Sequence, residues 1–164
     1  MRQVRQFRIA SRRDVLVGAL EGAAVLGLLT STAGAVLSAD DDRRSIAFWN
    51  LYRNIIGEAE PVEGKVALTL DEIAENGNNV PFEIAVESPM TDGDYVKSLY
   101  LLSTANPQPG VARFHFTPLS GKAAVKGRMR LARTQDVIAL AEESNGAFLI
   151  ATRRIEVTIG GCGN

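Results

Sequence analysis

The chain has 164 residues, room for one compact domain or one domain plus a removable segment, and not for two ordinary globular domains. Hydrophobic residues make up 46%, aromatics 6% and charged residues 23%, with 18 Lys+Arg against 19 Asp+Glu, which argues against a disordered chain or a polybasic nucleic-acid binder. One His and one Cys cannot furnish a four-ligand Cys/His zinc site, an internal disulfide or a CxxC redox pair, so no bound metal or cofactor is expected.

The near-neutral total hides an asymmetry. Residues 1–35 carry Arg2, Arg5, Arg8, Arg12 and Arg13 against only Asp14 and Glu21, which leaves the remainder net acidic. A basic head, the apolar stretch Val15 to Leu29 and the small residues Ala33-Gly34-Ala35 are the three parts of an export signal, with a mature start expected near Val36. Ser11-Arg12-Arg13-Asp14-Val15-Leu16 resembles the twin-arginine signal of proteins exported already folded. The alternative is an uncleaved anchor, since Val15 to Leu37 spans about 23 residues and ~20 suffice to cross a bilayer. Glu21, three glycines before Leu28 and the Ser/Thr run at 30–32 weigh against it, because a buried carboxylate costs about 2.5 kcal/mol or more there.

Next comes the acidic triplet Asp40-Asp41-Asp42, read as a solvated cap ahead of a helix N-terminus. Ile46, Trp49, Tyr52 (or Arg53) and Ile56 recur at three- and four-residue spacing and predict one amphipathic helix from Ser45 that ends at Gly57. From Lys65 the period changes to two. Strands are predicted near 65–70, 81–87, 96–102, 111–117, 124–131, 136–142 and 147–159, separated by turn clusters such as Asn76-Gly77-Asn78-Asn79 and Asn106-Pro107-Gln108-Pro109-Gly110. Asn145-Gly146 between two apolar runs is the clearest hairpin signal. Seven strands at this spacing predict an all-β, immunoglobulin-like antiparallel sandwich. The organisation expected is 1–35 signal peptide, 36–60 N-terminal segment with the helix, 61–159 sandwich and 160–164 a flexible glycine-rich C-terminal arm.

Strand alternation puts Phe114 and Phe116 on one face and Arg113, His115 and Thr117 on the other. His115 reads either as a general base or as a half-exposed strand histidine, and no partner constellation can be placed beside it from sequence. Lys126, Arg128 and Arg130 form a cationic stripe, either an anion-guiding surface or a solvated face.

The most informative segment is the end, where the strand Ile155-Glu156-Val157-Thr158-Ile159 runs into Gly160-Gly161-Cys162-Gly163-Asn164. Glycines lack Cβ atoms, so the arm is slim, and at ~3.3 to 3.6 Å per residue it carries Cys162 about 10 Å beyond the sandwich. The nearest charge in sequence is the terminal carboxylate, and no Lys, Arg or His lies within five residues of Cys162. A thiol near its free pKa of ~8.5 is a poor self-contained nucleophile at pH 7, which favours presentation to a partner. An intermolecular disulfide and an incidental tail thiol stay open as competing readings.

Several ordered segments resemble the SoxY family, the sulfur carriers of the bacterial Sox thiosulfate-oxidising system. They are the twin-arginine leader, Ile73-Ala74-Glu75-Asn76-Gly77-Asn78-Asn79-Val80-Pro81, Val86-Glu87-Ser88-Pro89-Met90-Thr91, Phe114-His115-Phe116-Thr117-Pro118, Arg130-Leu131-Ala132, Thr134-Gln135 and Val157-Thr158-Ile159-Gly160-Gly161-Cys162-Gly163. The family ends Gly-Gly-Cys-Gly-Gly, and the chain departs from that at Asn164. The resemblance implies a periplasmic, non-enzymatic carrier with an immunoglobulin-like sandwich and a SoxZ-like subunit as heterodimer partner. It implies covalent sulfur attachment at Cys162, with Gly160, Gly161 and Gly163 as the carrier arm. The transient partners implied are a haem cytochrome that couples thiosulfate to the cysteine, a manganese hydrolase that releases sulfate and, in some pathways, a sulfane dehydrogenase. The alternative function is a secreted immunoglobulin-like interaction module dimerised through a Cys162 disulfide; a cysteine enzyme using His115 is the third.

Overall fold

The computed structural model describes residues 44–161. The export signal with Arg12 and Arg13, the acidic triplet, and Cys162, Gly163 and Asn164 lie outside the described residues.

The helix α1 (Ile46–Ile56) has the boundaries its sequence predicts. Ser45 Oγ accepts the Phe48 N–H at 3.1 Å, and Gly57, at φ +60°, turns its N–H back to the Arg53 carbonyl at 2.9 Å. The buried stripe keeps Trp49 and Tyr52 of the spacing but is centred on Phe48 rather than Ile46. Ile46 is 81% exposed, whereas Phe48 is fully buried and Leu51, Tyr52 and Ile55 pack beside it. Phe48 stacks on Tyr52 with centroids 5.6 Å apart and meets Trp49 edge-on at 5.3 Å, so the face carrying the aromatic cluster is the one that docks.

Nine strands follow among the described residues: β1 (Val62–Glu63), β2 (Val66–Thr69), β3 (Ile73–Asn76), β4 (Val80–Val86), β5 (Val96–Ser103), β6 (Gly110–His115), β7 (Ala123–Met129), β8 (Gln135–Glu143) and β9 (Phe148–Ile159). They form a small sheet, β2-β4-β7, and a large one in the order β1-β9-β8-β5-β6, with β3 also pairing to β9. The seven predicted strands are all present, and the protein is mostly β-structure with one short helix. The antiparallel expectation is corrected at two places, because β1 and β3 both pair parallel to β9. The Asn145-Gly146 hairpin joins β8 to β9, with Gly146 at φ +86° and the Ala147 N–H bonded to Asn145 Oδ1 at 2.8 Å.

The main core lies between the sheets. Leu68, Phe82 and Ile84 from the small sheet meet Leu99, Leu101, Val137, Ala139 and Ile155 from the large one. The large sheet is also covered on its back, where α1 sets Phe48 on Leu102 and Ile138. Being covered on both faces, β8 is buried at seven consecutive residues, 135–141, which is why 137–141 read as a continuous apolar run rather than an alternating one. Among the described residues no helix is long and apolar enough to cross a membrane.

Candidate functional site

The chain leaves the sandwich through the C-terminal end of β9, and three segments converge there. The β8–β9 pairing stops at Gln135↔Ile155, so residues 156–159 overhang their antiparallel neighbour. One edge of the overhang is taken by β3, in register Ile73↔Glu156, Ala74↔Val157 and Asn76↔Ile159. On the other edge Thr134 Oγ1 accepts the Val157 N–H at 3.0 Å. The Gly161 N–H then donates to the Leu131 carbonyl at 2.8 Å, and Gly161 is buried.

Gly160 and Gly161, expected as the first links of a free arm, are therefore packed against the sandwich. A Cβ on Gly160 would strike the Ala132 carbonyl oxygen, and one on Gly161 would strike the backbone of Gly77 and Asn78. Neither glycine has a positive φ, so the absence of side chains serves close approach of main chains rather than unusual backbone angles. The last described residue, Gly161, is thus still bonded to the sandwich, where the sequence suggested that the free arm had already begun.

The turn that receives Gly161 is itself held from beneath. Asn106 Nδ2 donates to the Arg130 carbonyl at 2.9 Å, and Asn106 Oδ1 accepts from the Ala132 N–H at 2.9 Å and from Gln135 Nε2 at 2.8 Å. Gln135 Oε1 in turn accepts the Ala105 N–H at 2.8 Å. Beside this network Asp136 is paired with Arg154 at 3.3 Å and with Arg44 at 3.6 Å. An open pocket of about 310 Å³ adjoins the turn, lined by Thr104, Arg133, Thr134, Gln135, Asp136 and Arg154. Arg130 and Arg133 are exposed and flank the two carbonyls nearest the tail, a cationic neighbourhood invisible when only residues adjacent in sequence are counted. Gly77, Asn106 and Gln135 figure in the sequence only within turn clusters or family-like segments, with no site role assigned to them. Asn76-Gly77-Asn78-Asn79 reads there as a turn, and nothing local marks Asn106 as buried.

His115 stands elsewhere. The registers His115↔Ser98, Ser98↔Glu142 and Glu142↔Phe148 set it level with the first residue of β9 and three strands away. Gly161 lies past the other end of β9, which is itself roughly 36 Å along the strand at ~3.3 Å per residue. His115 cannot serve as a base for a thiol one residue beyond Gly161. It is exposed, with Nδ1 3.3 Å from Ser98 Oγ, and Arg113 Nη2 donates to the same oxygen at 3.4 Å while stacking over Tyr100. Nearby, Lys97 Nζ lies 2.7 Å from Glu142 Oε1. Burial pushes the Glu142 carboxyl up, but hydrogen bonds from Lys97, Tyr100 and Ser98 and the Lys97 charge outweigh it and hold the group below the ordinary carboxylate value. The cationic stripe is partly neutralised, with Lys126 2.9 Å from Glu83, and both residues of that pair are exposed. Among the described residues no three His, Cys, Asp or Glu side chains come together as a metal site.

The family model for the sulfur oxidation protein SoxY matches residues 52–162, which is more than half of the chain and includes Cys162. Among solved structures, the sulfur carrier protein SoxY from Chlorobium limicola f thiosulfatophilum is 28% identical with a TM-score of 0.58, over 70% of this chain and 100% of that one. A superoxide reductase (neelaredoxin) variant from Ignicoccus hospitalis superposes with a TM-score of 0.52 at 16% identity, over 62% of this chain and 85% of that one, and shares the fold alone. No curated protein matches the sequence. Family match and structural likeness agree, and the chain belongs to the SoxY family of sulfur carriers.

Proposed function

We propose that this protein is a periplasmic sulfur carrier that holds thiosulfate-derived intermediates covalently on Cys162 and presents them to other Sox enzymes without catalysing a step itself. The observation that carries the reading is the family match running through Cys162, joined to a tail anchored at one end of the sandwich and far from His115.

In this reading the Cys162 sulfur and the terminal sulfur of thiosulfate join in a new S–S bond. The thiol proton goes to solvent, and the two electrons released would pass to a partner cytochrome in one-electron steps, each reducing one ferric haem. Water then attacks the terminal sulfonate sulfur on a manganese hydrolase, sulfate leaves, and a persulfide stays on Cys162 for a sulfane dehydrogenase where one exists. The immunoglobulin-like sandwich acts as the rigid body of a heterodimer with a SoxZ-like subunit. Gly160 and Gly161 set the base of the carrier segment, and Gly163 lies beyond the thiol. The leader is removed near Ala35 after twin-arginine export, so replacing both Arg12 and Arg13 by Lys holds the precursor in the cytoplasm.

The test is intact mass spectrometry of the mature protein from the periplasm of thiosulfate-exposed cells. A thiol-removable increment on the C-terminal peptide, absent in Cys162→Ser, is expected. A bare thiol, or a reducible Cys162-linked homodimer without sulfur adduct, would overturn the carrier reading.

A further inference from the structure

We propose that Gly77 is a positioning residue for Cys162, because it closes a three-segment main-chain clamp that fixes the tail up to Gly161. The inference rests on the carrier reading for its functional meaning. Its geometry rests on three hydrogen bonds that form a ring. The Gly77 N–H donates to the Ile159 carbonyl, the Leu131 N–H to the Gly77 carbonyl and the Gly161 N–H to the Leu131 carbonyl, each at 2.8 Å. The ring joins the turn after β3, the turn before β8 and the end of β9, segments far apart in sequence.

All three strands of the clamp approach too closely for side chains. A Cβ on Gly77 would strike the Leu131 oxygen and come within 2.8 Å of the Gly161 nitrogen and 2.9 Å of Val157 Cγ1. The atoms in the way at Gly160 and Gly161 are likewise main-chain atoms, which have no rotamers to move aside. Gly77 is buried, while Asn76, Asn78 and Asn79 around it are exposed. The chain is thus held by a main-chain ring up to Gly161, the residue before Cys162 in sequence, and the ring is bordered by an exposed asparagine turn. On the carrier reading the fixed base of the arm is then Gly161 rather than Ile159.

Amide hydrogen exchange on the mature chain, purified as it is exported, tests the clamp directly. In the wild type the Gly161 N–H is expected to exchange about 100-fold or more slowly than in a free peptide of residues 157–164, as a main-chain bond in a closed unit does. Exchange at the peptide rate would overturn the proposal without any variant. In Gly77→Ala the Gly161 protection should vanish while the Val137 and Ala139 amides of the core stay protected. Surviving Gly161 protection would overturn it.

A second readout concerns access. The rate of Cys162 alkylation by a polyethylene-glycol maleimide relative to iodoacetamide should be severalfold lower in the wild type than in the free peptide, and equal to the peptide in Gly77→Ala. A wild-type ratio already equal to the peptide's would count against positioning. Tetrathionate separates the two proposals, since the thiolate displaces thiosulfate from it and keeps the other thiosulfate unit with no external oxidant. Refusal of that unit by Cys162 would sink the carrier reading. Normal uptake with free exchange at Gly161 would sink the clamp alone.

Discussion

Asn106 and Gln135 share a buried hydrogen bond, Gln135 Nε2 donating to Asn106 Oδ1 at 2.8 Å, and through it two turns are locked beneath the tail. Asn106 is 7% exposed and Gln135 3%, so neither amide can turn to water if its partner is lost. Asn106→Ala strands the Arg130 carbonyl and the Ala132 N–H together and leaves Gln135 Nε2 only its 3.1 Å bond to the Arg133 carbonyl. The variant is expected to lose about 2–3 kcal/mol in urea titration. A loss no larger than that of an exposed-site substitution would show that the network does not hold the turn.

The docking of α1 gives a paired prediction. Phe48→Ala removes a fully buried ring from the contact with Leu102 and Ile138 and should cost about 3–5 kcal/mol. Ile46→Ala, at an 81% exposed position, should stay within about 0.5 kcal/mol. The lone tryptophan, Trp49, reports both through its fluorescence on denaturation. Equal effects at the two positions would restore the helix face that spacing suggested.

That contrast shows which parts of the fold are legible in the sequence. Caps and turns are local chemistry, so Ser45, Gly57 and Asn145-Gly146 mark their elements to the residue. Apolar runs place the seven strands that the sequence predicts. The phase of α1 is not local, because Ile46 and Phe48 are equally apolar and only the sheet decides which one is covered. β3 escapes for a related reason. Only Ala74 of its four residues is buried, and what makes Ile73–Asn76 a strand is the overhanging end of β9, more than eighty residues away. The tail is the sharpest case. Gly-Gly beside a terminal cysteine carries the same letters whether the glycines serve flexibility or close packing, and the Leu131, Ala132 and Gly77 main chains that decide between them are distant in sequence. The packing surface at the base of the tail is therefore not legible from the sequence near it.

The Lys97–Glu142 pair predicts a pH effect at the opposite end of the sandwich. Glu142 has a folded-state pKa below its ordinary value of 4.5, so its contribution to stability is full above that value and is lost as pH falls through the lower, folded one. Lys97 is raised above 10.5, first by its hydrogen bond to Glu142 and then by the carboxylate charge, so its share is lost only as pH rises through that higher value. Glu142→Gln should lower the thermal midpoint at neutral pH and flatten the acid limb, the two proteins converging at low pH. Parallel midpoint curves down to the acid end would exclude Glu142 as the source.

Arg130 and Arg133 bear on the anionic substrate that the carrier reading requires. Both are exposed on the turn whose carbonyls meet the tail, and Arg133 also lines the adjoining pocket. The double variant Arg130→Ala, Arg133→Ala should react with tetrathionate about 3- to 10-fold more slowly at low ionic strength, the difference shrinking as salt screens it. Urea titration separates this from a folding defect. A rate difference indifferent to salt would mean that the arginines act through packing.

Gly161→Val tests the base of the tail with the thiol left in place. The new side chain would be driven into the main chain of Gly77 and Asn78, where no rotamer gives relief. The end of β9 must then peel away from the Leu131 carbonyl, and Cys162 moves with it. Tetrathionate is small and needs no docking, so its reaction with Cys162 should persist. On the carrier reading, a cytochrome partner would instead have to bring its haem to a thiol at a fixed place, and a displacement of about 1 Å costs on the order of 100-fold in such encounters. Enzymatic loading is therefore expected to fall by one to two orders of magnitude with the core amides still protected, whereas Gly163→Ala, beyond the thiol, should fall far less. Enzymatic and chemical loading reduced by the same factor would mean that valine acts on the reactivity of the sulfur itself, and unchanged enzymatic loading would mean that partners tolerate a tail detached from Gly77.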